Sequence, residues 1–136
     1  MMLTTKGRYA VMAIVDIAMQ DSVRPVNLSE VSQRQNIALN YLEQLFTKLR
    51  KTGVVKATRG PGGGYVLMDL PQNIKISHII DAVDEEIKIT RCTAVLDGCV
   101  TKKAKCVTHN LWSGLGNNIR SYLDSISITD VIEGRL

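Results

Sequence analysis

The stretch LSEVSQRQNIALNYLEQLFTKLRKTG, residues 28–53, leaves the chain few folds to choose from. Leu28 and Val31 form an inward pair, and Ser29 can cap a helix over 28–35. After Asn36, Ile37 and Ala38 a second apolar pattern begins, with Leu39, Leu42, Leu45, Phe46 and Leu49 on one face. Gly53, just past Lys51 and Thr52, is a helix stop signal. Two short helices with so brief a joint match the helix-turn-helix pattern, in which the second helix enters the DNA major groove.

The next segment strengthens that reading. VVKAT and YVLM are β-prone runs on either side of the loop RGPGGG, which predicts a β-hairpin wing. No Gly-Lys-Ser/Thr closes the glycine loop, so it is not a phosphate-binding P-loop. Upstream, Val11, Ile14, Val15, Ala18 and Met19 predict a helix over 5–20, capped by Thr4 or Thr5. Downstream, 71–76 reads as a linker and 77–86 as a short helix through Ile79, Ile80 and Val83. A longer helix is expected over 109–125, with Leu111, Trp112, Leu115, Ile119, Tyr122 and Leu123 inward, and then a last turn capped by Ser127 or Thr129. The expected fold class is mainly α with a small β-hairpin wing. A winged helix-turn-helix DNA-binding domain would occupy 1–70, and a linker helix and cysteine-containing loop 71–108. A long C-terminal dimerisation helix with its terminal turn would occupy 109–136.

Charge points to the partner. Residues 1–68 carry nine Lys/Arg against Asp16, Asp21, Glu30 and Glu43, whereas 69–136 carry eight against nine. A basic half suits an anionic partner, here double-stranded DNA. On the second helix Asn40 and Gln44 lie one turn apart, and both side chain types can bond an adenine edge bidentately. Lys48 and Lys51 lie further along, where phosphates would be met. Glu43 would repel phosphate unless it accepts from a cytosine amino group, which makes it a candidate for excluding wrong sequences. Tyr41 can pack on sugar or donate to phosphate. Arg59 precedes the wing loop and could enter a minor groove. Lys6 and Arg8 could add phosphate contacts. No stretch approaches the roughly 20 apolar residues of a membrane span. No small-residue cleavage site follows the N-terminal apolar run, which Asp16 interrupts.

All three cysteines, Cys92, Cys99 and Cys106, lie within RCTAVLDGCVTKKAKCVTHNLW, and His109 follows the last by three. So few cysteines, so local, argue against a secreted disulfide framework and for a reducing, cytoplasmic setting. On one continuous helix the sulfurs would stand about 10 Å apart, too far to share a metal centre. Asp97-Gly98 is a turn signal, Thr90, Thr93 and Thr101 disfavour helix, and Lys102, Lys103 and Lys105 interrupt any apolar stripe. A loop that folds its cysteines inward is therefore expected. Three Cys and one His suit Zn²⁺ or an iron–sulfur cluster. Only Cys106 and His109 show the short spacing usual for zinc, and the long spacers suit the wider perimeter of a [2Fe–2S] cluster. The nearby lysines would offset its negative charge. A redox-inert cysteine set or a thiol switch is the other reading. His78 stands alone and is expected to be structural. No paired carboxylates or Ser/His/Asp set converges, so an enzyme is not expected.

KGRYAV near the N-terminus, YLEQLF on the second helix, RGPGGGY in the wing and CVTHNLW after the last cysteine resemble the iron–sulfur cluster regulators of a bacterial winged-helix family. That family also contains nitric-oxide and cysteine-metabolism sensors. The likeness runs along nearly the whole chain. It implies a homodimeric transcription regulator carrying one [2Fe–2S] cluster per subunit, held by Cys92, Cys99, Cys106 and His109. It also implies a palindromic operator, the iron–sulfur assembly machinery as cluster donor, and a cluster-bound form that represses assembly genes. Ala38 and Asn40 stand where that pattern has serines, and the spacers between cysteines are longer. The alternative within the same family is a regulator that senses nitric oxide, iron or thiol oxidation through the same cysteines.

Overall fold

The computed structural model describes residues 3–20, 24–87, 89 and 106–136. The order is α1 (Thr5–Met19), α2 (Leu28–Gln35), α3 (Leu39–Lys51), β1 (Val55–Thr58), β2 (Gly64–Leu67), a 3-10 turn (Pro71–Asn73), α4 (Ile76–Ala82), α5 (His109–Ser125) and α6 (Ile128–Glu133). The expected fold class, mainly α with a hairpin wing, is the one observed.

α1 buries Ala10, Ala13, Ile14 and Ile17 on one stripe. Asp16 falls on the same stripe and is 3% exposed. A buried carboxylate is costly unless its oxygens are paired. Arg34 of α2 donates to both of them, with its closest contact at 2.7 Å, and Gln35 adds a bond of 2.8 Å. α2 therefore docks with its C-terminal end on α1. Its N-cap is Asn27, whose side chain accepts from the Ser29 N–H, rather than Ser29 itself. The helix begins two residues earlier than a Ser29 cap requires because Leu28 is drawn into the core. Asn36 ends the helix in the left-handed region (φ 54°), where asparagine is tolerated. Ile37 then plugs the joint. α3 buries Leu42, Leu45, Phe46 and Leu49, while Leu39 stays partly exposed.

β1 and β2 pair antiparallel, from Val55 opposite Leu67 to Thr58 opposite Gly64. Val26 bridges to Tyr65 and adds one more step of pairing. This close approach explains Gly64, since a Cβ there would run into the Val26 carbonyl. Phe46 packs on Tyr65 with ring centroids 4.9 Å apart, which fixes the wing against α3.

α4 ends at Ala82, short of the expected 86, because Asp84 turns the chain through φ 56°. The backbone of 74–76 pairs with 126–128, and Ile126 and Ile128 join the core that contains Ile14. Ser127 and Asp130 cap α6 reciprocally. The Ser127 N–H and hydroxyl hold the Asp130 carboxyl below its usual pKa. α5 has the expected bounds, and Leu123 packs partly buried against the core as expected. Trp112 and Ile119 are half-buried, whereas Leu111, Leu115 and Tyr122, expected inward, are exposed. The helix touches the body mainly at α4, where Arg120 grips Asp81 with two bonds of 2.7 Å.

Gly64→Ala should cost about 1–3 kcal/mol, as an overpacked site does, and should loosen the wing. Thermal unfolding measures the loss; a wild-type midpoint would contradict the close approach of β2 to Val26.

Candidate nucleic-acid interface and metal-ligand turn

A helix buried on one side offers the opposite side to solvent. On α3 the face opposite Leu42, Leu45, Phe46 and Leu49 carries Asn40, Gln44, Thr47 and Lys51, all exposed. Their spacing sets them in one strip along the helix. Thr47 donates its hydroxyl to the Glu43 carbonyl at 2.9 Å, leaving its methyl for apolar contact. Asn40 and Gln44 present amides with both donor and acceptor atoms, the chemistry that reads a base edge. Glu43 and Arg50 are exposed on one flank of the strip.

Tyr41 and Lys48 lie on the other flank. Tyr41 is half-buried and meets Tyr9 of α1 edge-on, with centroids 5.8 Å apart. Lys48 pairs with Asp84 at 3.2 Å. Lys6 is half-buried and donates to the Asp84 carbonyl at 3.4 Å. Arg8 is exposed on the first turns of α1, and Arg59 is exposed where β1 runs into the wing loop. The structure thus brings Asn40, Gln44 and Lys51 into one strip, puts Glu43, Tyr41, Lys48 and Lys6 beside it, and sets Arg59 apart at the wing. Arg24 is the residue that sequence reading missed. It lines a shallow groove with Asn27, Glu30 and wing residues Gly60 and Gly62. The Val26–Tyr65 bridge, a pairing with no local signal, brings the segment of Arg24 to the wing.

Of the four candidate metal ligands, Cys106 and His109 are described; Cys92 and Cys99 lie outside the described residues. His109 is the first residue of α5, and its N–H donates to the Cys106 carbonyl at 3.0 Å. One tight turn therefore sets a thiol and an imidazole at the head of α5. Thr108 lies between them, with its hydroxyl 3.6 Å from the Cys106 sulfur and accepting from the Trp112 indole at 3.2 Å. Amide dipoles at a helix head favour negative charge, which suits a thiolate. Sulfur and imidazole nitrogen are soft to borderline donors that fit iron or zinc. Among the described residues no group of three or more candidate ligands comes together.

The chain matches the Rrf2 family, described as iron-dependent transcriptional regulators, over residues 3–134. It is 48% identical over 132 residues to the HTH-type transcriptional regulator IscR of Aliivibrio salmonicida, covering 97% of this chain and 77% of that one. Among solved structures it is similar to T. potens IscR, with TM-score 0.79 and 33% identity, covering 100% of this chain and 89% of that one. CymR, the global cysteine regulator of B. subtilis, superposes with TM-score 0.81 at 30% identity, covering 96% and 95%. These relatives are transcription regulators rather than enzymes. No helix among the described residues is long and apolar enough to cross a membrane.

If the α3 strip reads bases, Asn40→Ala and Gln44→Ala should each cost about 1–3 kcal/mol on a preferred duplex and much less on random DNA. Lys51→Gln should weaken both duplexes alike and lower the salt slope by about one. Equal losses on both duplexes for Asn40→Ala and Gln44→Ala would rule out base reading by this strip.

Proposed function

The chain belongs to the Rrf2 family of transcriptional regulators, and on that premise we propose that it is a homodimeric, cytoplasmic sensor of iron–sulfur supply. It binds a palindromic operator and represses iron–sulfur assembly genes when it carries a [2Fe–2S] cluster received from the assembly machinery. The observation that carries this reading is the Cys106–His109 turn at the head of α5. The donor chemistry there fits the cluster, and Cys92 and Cys99 would complete the ligand set. When bound, the cluster would supply iron–sulfur and iron–nitrogen bonds that tie the cysteine-bearing segment to the head of α5.

The chain's own residues do the rest. α5 leaves Leu111, Leu115 and Tyr122 exposed along one stripe, with Trp112 and Ile119 half-buried beside it. An apolar stripe of this length on a helix suits the same stripe of a second copy. Pairing two copies places two α3 strips for two half-sites of a palindrome. Arg120 clamps α5 to α4 through Asp81, so the position of α5 is transmitted to the winged-helix body.

Anaerobically purified protein should contain iron and labile sulfide in equal amounts and show visible charge-transfer absorption. His109→Ala should alter that spectrum, and Leu115→Glu should yield monomers that lose palindrome binding. A colourless, iron-free protein that gains no spectrum on reconstitution would refute the cluster. An unchanged spectrum in His109→Ala would remove that residue from the ligand set and favour a sensor built on the cysteines alone.

A further inference from the structure

The residues that end α4 reach both helices of the DNA-facing side. Asp84 takes the left-handed conformation, with its N–H bonded to the Asp81 carbonyl at 3.0 Å. Glu85 comes next and is 6% exposed. Its carboxylate accepts from the Thr4 N–H and lies over Gly7, where a Cβ would collide with it. The backbone at 84–85 is thereby fixed to the head of α1. The Asp84 carboxylate meets Lys48 of α3 at 3.2 Å, and the Asp84 carbonyl accepts from Lys6 of α1.

Lys48 flanks the base-reading strip on the same side as Tyr41, which meets Tyr9 of α1, and Asp84 joins it to Lys6. A phosphate arriving on that flank would offer Lys48 an anionic oxygen, which the Asp84 carboxylate already supplies. We propose that Asp84 is a built-in competitor of DNA phosphate for Lys48, setting how tightly the protein holds duplex DNA. The proposal rests on the DNA-binding reading and assigns a role to a residue outside the strip. The pair is open to water, with Lys48 41% and Asp84 76% exposed, so it is weak enough to be exchanged. A buried pair would lock Lys48 instead. The carboxylate is nonetheless held in place, because the backbone beneath it is anchored through Glu85.

Asp84→Asn isolates the carboxylate. The amide keeps its shape, asparagine favours the left-handed conformation, and the backbone carbonyl that receives Lys6 is untouched. Binding to a random-sequence duplex, measured by fluorescence anisotropy between about 50 and 200 mM salt, reports phosphate contacts. Wild type, Asp84→Asn, Lys48→Gln and the double variant are compared, with thermal melts to verify folding. Asp84→Asn should bind about two- to fivefold tighter at low salt, the range of an exposed ion pair. Its salt slope should steepen by up to about 0.9, the value of one phosphate contact. In the Lys48→Gln background the same substitution should add nothing. Unchanged or weaker binding by Asp84→Asn would overturn the proposal. So would an equal gain in the Lys48→Gln background, which would mark a general charge effect. Failure of wild type to bind any duplex at low salt would instead overturn the DNA-binding reading, and the competitor role with it.

Discussion

The buried carboxylate of Asp16 sets the geometry on which the exposed strip of α3 depends. Enclosed on α1 among Ala13, Ile14 and Ile17, it needs hydrogen-bond donors, and among the described residues α2 brings them, as Arg34 and Gln35. Leaving such a charge unpaired would cost several kcal/mol, so α2 has one place to sit. Arg34 in turn is held strongly protonated by Asp16. With α2 fixed and Ile37 filling the joint, α3 leaves the turn in one direction. Its apolar face goes to the core, and Asn40, Gln44, Thr47 and Lys51 go to solvent. A polar contact between α1 and α2 thus aims the exposed strip of α3.

The remainder of the fold connects that strip to the head of α5. α4 lies between them. Asp81, near its end, holds Arg120 of α5, and Asp84, just beyond, holds Lys48 of α3. The residues after Glu85 lead toward the cysteines, and α5 starts with His109. The segment that carries the cysteines thus starts beside the turn that meets α3 and ends in a helix that meets α4 at Arg120. The strand-like pairing of 74–76 with 126–128 returns the chain to the same core, so α5 is held at its far end as well.

Much of this was legible in the sequence, because helical periodicity is a local signal. The bounds of α2, α3 and α5 and the hairpin came from apolar spacing and from the glycine signals at Gly53 and in the wing. Legibility failed where a distant residue decided. Ser29 looked like the cap of α2, but the pull of Leu28 into the core gave the cap to Asn27. α4 looked longer because nothing local shows that Asp84 turns back or that Glu85 is taken up by the head of α1. Tyr41 and Lys48 read as outward, yet each meets a partner far away in the chain, Tyr9 and Asp84. The apolar stripe of α5 was visible, but the sequence could not show that Leu111, Leu115 and Tyr122 are exposed among the described residues. The candidate ligands were visible as a set of soft donors, and the structure adds that two of them, Cys106 and His109, share one turn at the head of α5.

The proposed function requires that cluster occupancy change DNA affinity. It is tested most directly by measuring one preparation before and after anaerobic removal of its iron, on a duplex selected from a random library. The two affinities should differ by about 5- to 150-fold, the usual range of coupling between two sites. Equal affinity of the loaded and stripped forms for every selected duplex would contradict the claim.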